Sequence, residues 1–341
     1  MKKKLLYLSY SVIALALLAI VSVWAVSLRQ NVRSDTPVRI FIPSGSSFDD
    51  LIDTLKRPGL LSNEQSFVLI SRLKSLNRSV KPGSYVIEPG MSNNRIVNML
   101  RSGRQTPVNV TFNNIRTLAE LAGRIGEQIE TDSASISAFI EDENNYSEDG
   151  LNIRTVIAVF LTDTYQLYWT IDAKGFYRRM LKEYRAFWND DREAAARAIN
   201  LTPVEVSTLA SIIDEETVMD DEKPRIAGVY LNRLRLGIPL QADPTVKFAI
   251  NDFTIRRVLN EQKEVDSPYN TYKYKGLPPG PVRCASKNGI EAVLHAEKHE
   301  YLYFVARSDF SGYHHFSRTL AEHNRYANSY RHELNKKRIY Q

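Results

Sequence analysis

Six carboxylates fall within nine residues of the stretch SIIDEETVMDDE, Ser211 to Glu222: Asp214, Glu215, Glu216, Asp220, Asp221 and Glu222. A carboxyl group can donate a proton at neutral pH only if burial disfavours its charged form, so position decides which of the six could do chemistry. Thr202-Pro-Val-Glu205 reads as a helix start, with a capping threonine, a first-turn proline and a glutamate that closes a capping box. At about 100° per residue, Val206, Leu209, Ala210 and Ile213 share one apolar face. Continuing that wheel turns Glu215 toward solvent and sets Asp214 beside Ala210. Glu216 falls beside Leu209, Ile212 and Ile213. Glu216 is therefore the expected half-buried carboxyl, with a raised pKa and the property of a general acid. Asp220, Asp221 and Glu222 are expected in a solvated turn. The competing reading is a wet, acidic helix end with no chemistry.

Polar groups that could orient a substrate follow downstream. Gln241-Ala-Asp-Pro-Thr-Val246 places Gln241 and Asp243 in a turn before a further helix, where Asp243 also suits an N-cap. Ser267-Pro-Tyr-Asn-Thr-Tyr272 and Gly276-Leu-Pro-Pro-Gly-Pro281 are irregular segments stiffened by proline. Tyr269 and Asn270 suit a sugar, with a flat face to stack on and an amide to bond ring substituents. Leu277-Pro-Pro279 is expected to shape the cleft wall. All six histidines lie beyond residue 290, and His295 and His299 have the helical spacing of a zinc pair. The glutamate between them is misplaced for an HExxH metalloprotease, so no metal is expected. His295 is expected to pack and His299 to be exposed. The single cysteine, Cys284, excludes an internal disulfide and a cysteine-rich metal site, and no nucleophile signature surrounds it.

These residues need elements to hold them. The 341-residue chain is 43% hydrophobic and 25% charged, ordinary for a globular protein. Its net charge is +6, three of it from Lys2, Lys3 and Lys4, and no basic run with interleaved aromatics points to nucleic acid. Leu5 to Val26 carries no charge and is long enough to span a bilayer, with lysines before it that predict a cytoplasmic N-terminus. Ala25-Val26-Ser27 has the small residues of a cleavage site, so a removable signal stays open beside the anchor. We expect a cytoplasmic tail at 1–4, a transmembrane helix at 5–26 and a polar tether at 27–36. A β-α-α-β-α module at 37–105 and a second, mixed α+β domain at 107–341 follow. The openings VRIFIPSGSSFDDLIDTL and VNVTFNNIRTLAELAGRI echo one another as strand then helix.

The segments SIIDEET, RIAGVYLNRLRLGIPLQADPTV, YNTYKYKGLPPGPV, YLYFVA, HFSRTLAEHN and KPGSYVIEPGMSNNRIVNMLRSG, in that family's order, resemble the endolytic murein transglycosylases, the MltG or YceG-like family. The resemblance runs from about residue 38 to the C-terminus. It implies an α+β enzyme anchored in the inner membrane by one N-terminal helix, with its catalytic domain periplasmic and a LysM-like module at 37–105. It implies a lyase that cleaves the MurNAc-GlcNAc bond within nascent peptidoglycan strands, leaves 1,6-anhydroMurNAc ends, terminates elongation and works beside peptidoglycan synthases, with no cofactor. The family pattern Ile-Val/Ile-Glu-Lys-Glu-Thr maps its second glutamate onto Glu216 and replaces its first by Asp214. Thr162 stands where the family carries a proline, which touches the shape of that loop. On the family's mechanism Glu216 protonates the bridging oxygen and then accepts the C6 hydroxyl proton. Gln241, Asp243, Tyr269 and Asn270 position the sugar or its acetamido group. The alternative is a non-catalytic, membrane-anchored peptidoglycan-binding scaffold for wall synthesis.

Overall fold

The computed structural model describes residues 2–56, 60–255 and 257–336, so Met1 of the expected tail and the last five residues lie outside it. The chain is α+β and divides into two compact units: 1–110 with 128–131 and 166–171, and 111–127 with 132–165 and 172–341.

The first unit opens with α1 (Lys2–Leu28), a helix long and apolar enough to cross a membrane. Most of its apolar side chains from Leu5 to Trp24 are exposed, while Val23 packs against the core that follows. The module that follows runs β1 (Val38–Ile42), α2 (Phe48–Leu55), α3 (Glu64–Leu73), β2 (Gly83–Ile87) and α4 (Asn93–Ser102). β1 and β2 pair antiparallel with Val38 opposite Ile87 and Ile42 opposite Gly83. Their inward residues Ile40, Ile42, Tyr85 and Ile87 join Leu51, Phe67 and Ile96 in one core. α4 stops at Gly103, whose φ of 70° is the left-handed cap that glycine adopts without strain. The expected tether does not hang free. α1 already covers its first residues, and Asn31 is buried, donating to Asn93 Oδ1 (2.7 Å) and the Asn63 carbonyl (2.9 Å). A polar run reads as a linker only until its amides find partners.

The second unit begins within β3 (Val108–Phe112), which forms a two-stranded sheet with β4 (Asp163–Leu167). Between them lie α5 (Leu118–Gly126) and α6 (Ser133–Glu141). The sequence echo is real in structure. Both strand–helix openings close with a capping box, Ser47 with Asp50 and Thr117 with Glu120. Thr162 does not sit in an irregular loop; it bridges to Ser286 directly before β4. The helices α7 (Ala173–Phe187), α8 (Asp190–Ala198), α9 (Pro203–Glu216), α10 (Lys223–Arg235), α11 (Asp243–Ile250) and α12 (Lys287–Leu294) follow. The hairpin of β5 (Tyr303–Ala306) and β6 (His314–Ser317) and the terminal α13 (Leu320–Lys336) complete the unit.

α9 is the central element. Val206, Leu209, Ala210, Ile212 and Ile213 are all fully buried, against Ile226 and Tyr230 of α10 and Ile290 and Val293 of α12. α10 in turn sits close to the segment before β5. A methyl group on Gly228 would come within 2.3 Å of the Glu297 carbonyl oxygen, so only glycine permits that approach. We therefore expect Gly228→Ala to cost about 1–3 kcal/mol and to lower the thermal unfolding midpoint. An unchanged midpoint would show that the close approach is absent in solution.

Candidate active site

The six carboxylates part company at the end of α9. Asp214 turns inward, to Lys223 Nζ (3.0 Å) and to the Ser286 backbone N–H (2.7 Å) and hydroxyl (2.8 Å). It is thereby fixed at the start of α12, where Gly289 leaves room for its carboxyl. Glu215 does not face solvent, contrary to the helical wheel. Arg116, before α5, grips both its oxygens at 2.9 and 3.1 Å, and Arg283 adds a third contact at 2.8 Å. Two guanidiniums brought from distant segments convert an outward position into an ion cluster. Asp220 and Asp221 are exposed as expected, but Glu222 is only 3% exposed and accepts from His314.

Glu216, partly buried like Asp214 and Glu215, is the one that lines a cavity of about 400 Å3, together with Tyr230, Arg233, Gln241 and Asp243. Tyr230, two turns into α10, donates its hydroxyl to Glu216 Oε1 at 2.8 Å. Burial pushes the Glu216 carboxyl up to about 7 from an ordinary 4.5, against the opposing pull of that hydrogen bond; nearby Asp243 raises it further. The same burial and the facing carboxyl raise the Tyr230 hydroxyl well above its usual range, so it remains a donor.

Two of the four expected positioning residues meet Glu216 here. Gln241 occupies a left-handed conformation, φ 55°, and receives Arg233 Nη1 at 3.3 Å. Asp243 does not cap its helix: Ala242 holds the cap position, and Asp243 instead accepts the Tyr272 hydroxyl at 2.6 Å, inside the cavity. Tyr269 and Asn270 are not among the cavity's walls. Tyr269 packs on Phe248 with ring centres 4.6 Å apart. Asn270 is wholly buried and donates to the Lys263 and Val265 carbonyls, fixing the loop that carries Thr271 and Tyr272. Thr271 then ties the turn in place by accepting the Gln241 and Ala242 N–H groups at its carbonyl and hydroxyl. Leu277-Pro-Pro279 borders a separate groove with Leu201 and Leu231, not this cavity.

Tyr230 and Arg233 are buried on α10, and the structure gives both polar work. Arg233 donates to the Leu302, Pro239 and Leu240 carbonyls at 2.6–3.0 Å, stitching β5 to the turn before Gln241. The signal for each was a polar tip within an apolar stripe on a helix facing Glu216. The zinc-pair spacing dissolves because α12 ends at Leu294, so His295 and His299 do not share a helix. His295 is exposed, the reverse of the expectation. His299 donates Nε2–H to the Arg225 carbonyl (2.8 Å) and accepts the Tyr301 N–H at Nδ1 (3.1 Å), which commits both nitrogens. Cys284 is buried and its thiol is pushed up to about 12, which keeps it an inert packing group.

A carboxyl that holds its proton longer when folded stabilises the protein below the unfolded value, and that stabilisation is lost as pH rises through the folded value. For Glu216 the window is pH 4.5 to about 7. Glu216→Gln should match wild type near pH 4.5 and exceed it by up to about 3 kcal/mol above pH 7. Chemical denaturation at both pH values checks this, and a constant difference between the proteins would contradict it.

Residues 40–329 match the YceG-like family. An endolytic murein transglycosylase of Bacillus subtilis is 30% identical over 329 residues, covering 91% of this chain and 90% of the relative. One from Streptococcus pneumoniae is 28% identical over 306 residues, or 81% of this chain and 55% of that longer relative. A crystal structure of a yceG-like protein from Listeria monocytogenes superposes with a TM-score of 0.57 at 28% identity, covering 86% of this chain and 99% of that one. The chain belongs to the YceG-like family.

Proposed function

We propose that this protein is a membrane-anchored endolytic murein transglycosylase, with Glu216 as its acid. The observation that carries the reading is a glutamic acid poised near neutrality in a cavity, held by one tyrosine hydroxyl. Relatives that share most of the chain's length carry that enzyme's name. A two-carboxylate hydrolase activates a water with its second group. Here the partner carboxylate, Asp243, is engaged by Tyr272, which suits it to orient an acetamido N–H.

Glu216 gives its proton to the oxygen between N-acetylmuramic acid and N-acetylglucosamine, and the C1–O bond breaks. The oxocarbenium-like centre is relieved by the sugar's own acetamido oxygen. The C6 hydroxyl then attacks C1 and closes the 1,6-anhydro ring, its proton passing to the new Glu216 carboxylate. Tyr230 stabilises that carboxylate as it forms. Gln241 and Asp243 contact the sugar, while Tyr269 and Asn270 act by holding the loop around it. No water enters the products.

On this reading α1 is a single membrane span at 5–26, with residues 1–4 cytoplasmic and the rest periplasmic. The β-α-α-β-α unit at 37–105 is a LysM-like glycan-holding module, and 107–341 is the catalytic domain. Peptidoglycan synthases are the partners that a strand-terminating enzyme would need. The test compares full-length wild type and Glu216→Gln in detergent micelles on isolated peptidoglycan, with products read by mass spectrometry. Chain ends lighter by one water should appear with wild type and fall at least about 100-fold in the variant. Equal anhydro ends from both would remove Glu216 from the chemistry, and binding without cleavage by either would favour the scaffold.

A further inference from the structure

The cavity that holds Glu216 is also lined by two cations, Arg233 and Lys263. Arg233 is only 7% exposed, and a guanidinium keeps its charge when buried. Its Nε and Nη1 are committed to the Leu302, Pro239 and Leu240 carbonyls and to Gln241 Oε1. Nη2 makes no hydrogen bond among the described residues, yet it is not sealed off from open space. The guanidinium lies over the Tyr303 ring, 5.0 Å from its centre, and Tyr303 is itself part of the cavity wall. Lys263 sits on the short turn Gln262–Glu264. It holds Nζ 4.8 Å from the centre of the Tyr272 ring, which also lines the cavity. The carboxylate on that side, Asp243, takes the Tyr272 hydroxyl rather than the lysine. Each cation is seated on an aromatic face, and neither pairs with a carboxylate among the described residues. A charge drawn out of water without a counter-ion costs free energy, and an incoming anion offsets that cost.

We propose that Arg233 Nη2 and Lys263 Nζ form a subsite for carboxylates of the substrate, which makes them specificity-determining residues for an acidic glycan over a neutral one; this rests on the transglycosylase reading above. The sugar rings of peptidoglycan bring hydroxyls and amides but no charge. Its carboxylates hang from the lactyl ether of muramic acid. They are the lactyl carboxylate itself where the strand is bare, or those of the peptide where one is attached. Both sources present the same chemistry to the wall. Arg233 gives a charge-assisted hydrogen bond from Nη2, and Lys263 acts as a point charge. The contact lies away from the breaking bond and is made in the ground state and the transition state alike. It therefore lowers KM and leaves kcat unchanged.

The test uses full-length wild type, Lys263→Gln and Arg233→Gln in detergent micelles, with anhydro ends counted by mass spectrometry over a range of substrate concentrations. Three substrates are compared: isolated peptidoglycan, the same material with its carboxyls converted to amides, and strands stripped of peptide by an amidase. Amidation should raise the wild-type KM at least about tenfold with little change in kcat. Lys263→Gln should lose a similar amount on the acidic substrate and almost nothing on the amidated one. Arg233→Gln also breaks the bonds that hold the turn to β5, so it is read by the ratio between the two substrates, which should collapse toward one. Stripped strands that behave like intact ones assign the carboxylate to the lactyl group; stripped strands that behave like amidated ones assign it to the peptide. A wild type whose KM changes less than about threefold on amidation overturns the proposal, and this arm decides the matter if Arg233→Gln does not fold. Folded variants that lose activity equally on both substrates overturn it too, because that is the mark of a merely structural role. A wild type that makes no anhydro ends on any substrate is a different failure, because it removes the underlying reading as well.

Discussion

The carboxyl of Glu216, drawn out of water at the end of α9 and met there by the Tyr230 hydroxyl, is the interaction on which the rest of this site depends. Burial raises its balance point and the tyrosine's hydrogen bond opposes that rise, leaving it at about 7. For that balance to hold, α9 and α10 must keep a fixed spacing. The buried faces of both helices and the Asp214–Lys223 pair across their junction supply it. Neighbouring carboxylates are paired one by one, Asp214 with Lys223 and Glu215 with two arginines, and among the described residues no cation is in hydrogen-bonding contact with Glu216.

The turn opposite is built with similar economy of contact. Arg233 fastens it to β5, Thr271 fastens it to the tyrosine-bearing loop, and Asn270 fastens that loop to itself. Gln241 and Asp243 then stand in the cavity on a rigid frame, in keeping with the need of a positioned reaction for small geometric tolerance. The left-handed backbone of that turn falls at Gln241, one of the residues that line the cavity.

Much of this was legible in the sequence because it is local. Strand–helix openings with capping boxes, the Gly103 stop and the face of α9 all follow from spacings of a few residues. The placement of Glu216 beside the apolar face of α9 was legible for the same reason, although Tyr230 and the other walls of its cavity come from elsewhere in the chain. What the sequence hid is carried by long-range pairs. Glu222 meets His314 across 92 residues and Glu215 meets Arg116 across 99, and no periodicity records such a meeting. Tyr269 and Asn270 had the right chemistry for a sugar, yet packing claimed the ring and backbone carbonyls claimed the amide. Tyr272, two residues further, is the one that reaches Asp243.

The central claim is that Glu216 acts as a proton donor whose balance point lies near neutrality, and the pH dependence of kcat/KM for anhydro-end formation tests it most directly. The account predicts a rate that falls tenfold per pH unit above about 7, with that limb moving to higher pH in Tyr230→Phe because the donor that favours the carboxylate is gone. A limb near the ordinary glutamate value of 4.5, or one that ignores the loss of Tyr230, would contradict it.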